Sequence, residues 1–167
     1  MLELAGIIYP VVATSSNGLP LDAETNEHRI KYLFLDTGLL LAILQLDGSS
    51  SDELIELILT GSPQDLVNKE PIQHQKSYFW EKTGKSIAEV DYLIAQKSSI
   101  IPIEVKSGTQ GGMKSLWMLM HDKHLTNAIR ISIENFGEFD YVDTEDANAI
   151  RHVIILPVYA IKMLFET

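Results

Sequence analysis

Three short segments between residues 77 and 106 constrain the chain more than any other feature. Ser77-Tyr78-Phe79-Trp80, Ala88-Glu89-Val90-Asp91-Tyr92-Leu93-Ile94-Ala95 and Ile100-Ile101-Pro102-Ile103-Glu104-Val105-Lys106 are dominated by aromatic and β-branched residues, which fit a pleated, half-buried surface. Polar turns through Lys82-Thr83-Gly84-Lys85-Ser86 and Gln96-Lys97-Ser98-Ser99 separate them. Connections this short return each strand beside its predecessor, so the pattern predicts three consecutive antiparallel strands. Pro102 marks a strand start or an edge, because proline cannot donate to a ladder. Ser107-Gly108 through Gly111-Gly112 reads as a flexible exit.

Downstream, Lys114 to His124 carries Leu116, Trp117, Leu119 and Met120 in an otherwise polar run, which predicts an amphipathic helix laid across the sheet. Further strands are expected at Asn127-Ala128-Ile129-Arg130-Ile131-Ser132 and Val153-Ile154-Ile155-Leu156. Upstream, residues 1 to 13 read as a helix end followed by an apolar strand from Ile7 to Val12, with turn chemistry at Ser15-Ser16-Asn17-Gly18. Lys31-Tyr32-Leu33-Phe34-Leu35 reads as a strand running into a helix over Leu39 to Leu44, with Asp36 as its N-cap. A second helix is expected at Asp52 to Leu59, ended by Gly61-Ser62-Pro63. The elements describe a mixed α/β core. An opening in mid-element, without capping residues before Leu2, is what a piece of a longer protein presents.

With 167 residues and 46% hydrophobic content, the chain can bury one sizeable core without disulfides or metals. The absence of cysteine excludes thiolate chemistry of every kind and fits the cytoplasm, the expected location. No stretch of eighteen uncharged apolar residues and no basic leader occurs, so membrane spanning and export are unsupported. A formal charge of -10 opposes nonspecific attraction to nucleic acid, whose affinity rests on neutralising phosphates.

Glu104 and Lys106 fall on one face of a strand, because strand side chains alternate with period two, and Val105 then points into the core. If the 96–99 turn sets the register, Asp91 stands beside them, since paired strands lie about 4.8 Å apart. Two carboxylates and a lysine at one spot are what metal-assisted phosphodiester cleavage requires. The hard oxygens hold Mg2+, the metal activates a water, and the cation faces the developing phosphorane charge. The same residues also suit a solvated surface ion pair without catalytic meaning.

Tyr78-Phe79-Trp80, the Ala88–Ile94 segment and Ile101-Pro102-Ile103-Glu104-Val105-Lys106-Ser107-Gly108 resemble the C-terminal domain of prokaryotic AAA-type ATPases assigned to the PD-(D/E)XK, restriction-endonuclease-like superfamily. The resemblance extends to Leu2–Tyr9, Lys31–Leu40, Ala128–Ser132, Asn135–Gly137 and Leu156–Ile161, covering nearly the whole chain. It implies a restriction-endonuclease-like mixed sheet flanked by helices over residues 47–167, preceded by a winged-helix-like remnant and linker over residues 1–46. It assigns Asp91 and Glu104 as Mg2+ ligands and Lys106 as the charge-stabilising residue, all three catalytic. The function it implies is a Mg2+-dependent nucleic-acid phosphodiesterase. The alternative is a catalytically silent interaction or regulatory module.

Two departures from the family pattern bear on this. No Gly-x-x-x-x-Gly-Lys-Ser/Thr loop is present, so no ATPase activity is expected of this chain and the ATPase module, or another protein partner, must lie elsewhere. The family's first nuclease-fold helix, which carries a glutamate, reads as deleted, since Asp65–Ile72 runs almost directly into Gln73–Tyr78 and Pro71 breaks a helix through Glu70. Other candidates have plainer readings. His121 and His124 lack a third ligand and read as solvent-facing. Glu53 and Glu56 complement a helix dipole, and Phe79, Trp80, Tyr92 and Trp117 read as packing.

Overall fold

The computed structural model describes residues 2–34, 77–84, 86–106 and 112–165. The readings at Asp36, at the helices over 39–44 and 52–59, at Glu70 and the shortened 70–77 connection, and at the 107–111 exit lie outside the described residues.

The described strands form one mixed sheet of eight, in the order β2-β1-β3-β4-β5-β6-β8-β7. They are β1 (Ile8–Thr14), β2 (Thr25–Phe34), β3 (Ser77–Lys82), β4 (Ala88–Gln96), β5 (Ser99–Lys106), β6 (Asn127–Ser132), β7 (Gly137–Asp143) and β8 (Ala149–Pro157). A single α-helix among the described residues, α1 (Lys114–Asp122), and two 3₁₀ segments, Leu21–Glu24 and Val158–Phe165, complete the described elements. The chain is therefore mixed α/β. β1 and β2, from the segment whose resemblance is to a winged-helix-like remnant, extend the same sheet, with β1 pairing parallel to β3.

The expected antiparallel run is present: β3 pairs with β4 and β4 with β5. The β4–β5 turn has two residues, Lys97 and Ser98, both at positive φ (47° and 67°), and closes on the pair Gln96–Ser99. Two left-handed residues match the twist of the flanking strands, and this turn sets the register on which the site depends. β6 then adds parallel to β5, because α1 carries the chain back to the starting end of the sheet.

Two expectations are corrected. Pro102 does not mark an edge: it is fully buried in the middle of β5, between β4 and β6. The Val105 N–H points toward β4, so by alternation the position of Pro102 faces β6. There the ladder starts one residue later, at Ile103–Ile129, so the pairing of β5 with β6 does not call on the donor that proline lacks. The second correction is β7, which the sequence reading passed over. Its burial is mostly low, and an edge strand with little apolar alternation gives little signal.

Alternation sends the two faces of the sheet into separate cores. Val11, Phe79, Tyr92, Ile103, Val105 and Ile131 pack with Ala160 and Ile161 of the closing 3₁₀ helix. Trp80, Val90, Leu93, Ile100 and Val153 pack beneath Leu116, Leu119 and Met120 of α1. Trp117 stacks on Tyr141, with ring centroids 4.4 Å apart, and meets Phe139 edge-on. The aromatic residues thus serve packing.

Candidate functional site

The site forms where β4 and β5 part. Their ladder runs from Gln96–Ser99 to Tyr92–Ile103. The next residues in register, Asp91 and Glu104, begin the stretch where the strands no longer exchange backbone bonds. Asp91 Oδ2 instead accepts the Val105 N–H at 2.8 Å. A side-chain oxygen has replaced the backbone carbonyl as the acceptor of a central strand.

A β-bulge makes this geometry. β3 pairs Tyr78 with Leu93 and Trp80 with Val90, so Asp91 and Tyr92 together oppose the single residue Phe79. An extra residue of this kind shifts the side-chain alternation and re-aims a side chain. Val90 accordingly packs into the core under α1, while Tyr92 packs into the opposite core. Asp91, caught at the change of parity, turns toward β5.

Glu104 and Lys106 share a face of β5, as alternation requires, and Lys106 Nζ lies 2.9 Å from Glu104 Oε1. Val105, between them, is in the core. This is no surface pair: Glu104 is 4% exposed. Its second oxygen, Oε2, is buried and has no hydrogen-bond partner among the described residues. Leaving such an acceptor unmatched costs about 1–3 kcal/mol, more when it is charged.

The electrostatics follow from burial. The Glu104 carboxyl is pushed up to about 7, first by loss of solvent and then by the neighbouring Asp91 charge, against the lowering effect of Lys106. Asp91 is also raised by burial, opposed by the Val105 N–H and by the charges of Lys31 and Lys106. The Tyr92 phenol is raised as well, by burial and by Asp91, and stays protonated. Two such carboxyls resist joint ionisation, and a cation between them would relieve it.

Two cations flanking the site were not found by sequence reasoning. Lys31 on β2 sits 4.3 Å from the Phe79 ring centroid, pairs with Glu89, and contributes its field to Asp91. Arg130, buried on β6, stands in register beside Glu104 and lies 3.4 Å from Glu134. Neither has a motif, because each is brought in by strand order. His121 and His124, read as solvent-facing, have side chains 38% and 75% exposed, and each also meets a carboxylate, Asp143 at 2.9 Å and Asp146 at 3.1 Å. They fasten the end of α1 to the β7–β8 turn.

The donor set suits a hard divalent ion. Mg2+ is commonly held by one or two carboxylates, with water and substrate phosphate completing its shell. Glu104 Oε2 supplies an oxygen with no other partner among the described residues, and Asp91 stands beside it. No cluster of three or more His, Cys, Asp or Glu side chains placed to hold a metal ion occurs among the described residues. No helix among them is long and apolar enough to cross a membrane.

Residues 63–157, more than half of the chain, match the family described as a domain of unknown function, DUF4143. The chain belongs to that family, which is typically found in AAA-ATPase-associated proteins. No curated protein matches the chain.

Proposed function

We propose that this DUF4143 family member carries a restriction-endonuclease-like domain that cleaves nucleic-acid phosphodiesters with Mg2+ and works beside a separate AAA-type ATPase module. One observation carries the reading: a buried carboxylate oxygen, Glu104 Oε2, is left without a partner among the described residues, beside a second carboxylate and a lysine. A purely structural ion pair tends to satisfy its oxygens, since a buried unpaired acceptor is costly.

Asp91 and Glu104 would hold the ion. The chemistry such an ion supplies when bound is a water of lowered pKa and positive charge against the phosphoryl oxygens. Lys106, tethered by Glu104 Oε1, has its ammonium at the same spot and faces the charge that develops on the phosphorus oxygens. The Val105 N–H fixes the Asp91 carboxylate, so the ligand needs little reordering. Because the Glu104 carboxyl is pushed up to about 7, ion binding near neutral pH releases its proton and tightens as pH rises.

The test is cleavage of single- and double-stranded DNA and RNA with Mg2+ or Mn2+. The expected outcome is activity that Asp91→Ala reduces on the order of 100-fold or more. Calorimetry should show one divalent site that weakens in Glu104→Gln. Lack of both divalent binding and Asp91-dependent cleavage would overturn the reading. It would favour a silent interaction module, which the net charge of -10 already suits.

A further inference from the structure

A second concave site lies on another part of the molecule. The loop after β1, the β4–β5 turn and the connection from α1 to β6 enclose a pocket of about 240 Å³. Its polar wall includes Ser16, Asn17, Ser98, Ser99, Lys123 and Thr126. On β5, Glu104 is five residues beyond Ser99, about 16 Å along the strand, so the pocket is separate from the carboxylate pair.

Two features point to an anion. No Asp or Glu is among the described residues that line the pocket, although the chain is strongly acidic, whereas Lys123 and His124 are. The Lys123 ammonium is engaged by the neutral Asn17 Oδ1 rather than by a carboxylate. Glu24 stands one step behind, accepting from Asn17 Nδ2 at 2.7 Å, and Asp146 holds His124. The Asn17 amide thus relays between Glu24 and Lys123 and leaves the lysine's charge for the cavity.

The second feature is Ser16. It is 2% exposed, it lines the pocket, and its hydroxyl has no hydrogen-bond partner among the described residues. A buried hydroxyl of this kind costs free energy until a ligand or water completes it.

We propose that this pocket binds a small oxyanion of the phosphate class, either free phosphate or the phosphoryl end of a small ester. Lys123 supplies the charge, the Ser16, Ser98, Ser99 and Thr126 hydroxyls supply adjustable donors, and the volume suits a tetrahedral oxyanion with a few waters.

The experiment is an amide-resolved NMR titration of the full chain with inorganic phosphate, with a nucleoside monophosphate and with sulfate, followed by calorimetry on variants. Saturable shifts are expected at the amides of Ser16, Ser98 and Lys123. Lys123→Gln should weaken binding by about 10-fold or more, and Ser16→Ala by a smaller factor with the melting temperature retained. Asp91→Ala should leave the affinity unchanged, which separates this pocket from phosphate drawn to Lys106. Shifts with both phosphate and the monophosphate identify the phosphoryl group as the recognised unit, and shifts with the monophosphate alone assign the ester as its source. The absence of saturable shifts at these amides up to about 10 mM ligand, or equal affinity in wild type and both variants, would overturn the proposal. The wild-type titration decides the matter even if a variant fails to fold.

Discussion

Buried charge is treated in opposite ways at two places in the same sheet. On the β7–β8 side Arg151, 1% exposed, gives Nη1 to the Leu125 carbonyl at 2.8 Å and Nη2 to Asp143 at 3.2 Å and to Asp146. Burial pushes the Asp143 carboxyl up, but hydrogen bonds from His121, Arg151 and the Glu145 N–H outweigh it, and the group ends below the usual carboxylate range. At Glu104 the balance reverses, because burial and the Asp91 charge outweigh Lys106, and Glu104 Oε2 receives no bond among the described residues. Similar burial therefore yields a structural clasp where donors are plentiful and a carboxylate pair that resists joint ionisation where they are scarce.

The largest expected effect is on the clasp. Arg151→Ala should lower unfolding free energy by about 3–5 kcal/mol in urea titrations, because it takes the buried guanidinium away from two carboxylates and a carbonyl. A loss below about 1 kcal/mol would mean that the array is not a clasp.

The pair should respond in the other direction. Glu104→Gln keeps the shape and removes the charge, so it should stabilise the protein at pH 8 by about 1–2 kcal/mol while weakening divalent binding. If it destabilised as much as Arg151→Ala, the contrast between the two places would collapse.

A pH series sharpens the same contrast. The folded-state pKa of Glu104, about 7, lies above its ordinary 4.5. Between these values the folded chain binds more proton than the unfolded one, so the stability contributed by Glu104 is full below about pH 4.5 and is lost as pH rises through 7. Wild type should lose stability over that window relative to Glu104→Gln, and denaturant melts at pH 5, 6, 7 and 8 will read the difference. Parallel curves for the two proteins would remove Glu104 as the titrating group.

The smallest effect concerns His121. Its hydrogen bond to Asp143 raises its pKa, so the stabilising charge is complete below the ordinary imidazole value and fades as pH rises through the raised one. Imidazole NMR titration should give a His121 midpoint above that of the same histidine in Asp143→Asn. Identical midpoints would show that the clasp does not include it.

Much of the fold could be read from the chain because its signals are local. The β3–β4–β5 run, α1 and β6 each announce themselves in consecutive residues, and Glu104 and Lys106 share a face for the same reason. The positions of Pro102, β7, Lys31 and Arg130 were not legible, since each depends on which strand lies alongside. The Asp91 bulge belongs with them: nothing in Ala88–Ala95 says that two of its residues will oppose Phe79.

What the amino-acid sequence determined by itself was the kind of chemistry available: an Asp, then a Glu-x-Lys, in strands joined by a turn short enough to pair them. Tertiary structure alone decided that the glutamate is buried with an oxygen unmatched among the described residues, that the aspartate is turned toward β5, and that the carboxylates of another array are paired with a buried arginine. The reason is physical. Alternation and turn length act between neighbours in the chain, whereas desolvation and hydrogen-bond supply are set by residues far apart in sequence that the sheet brings together.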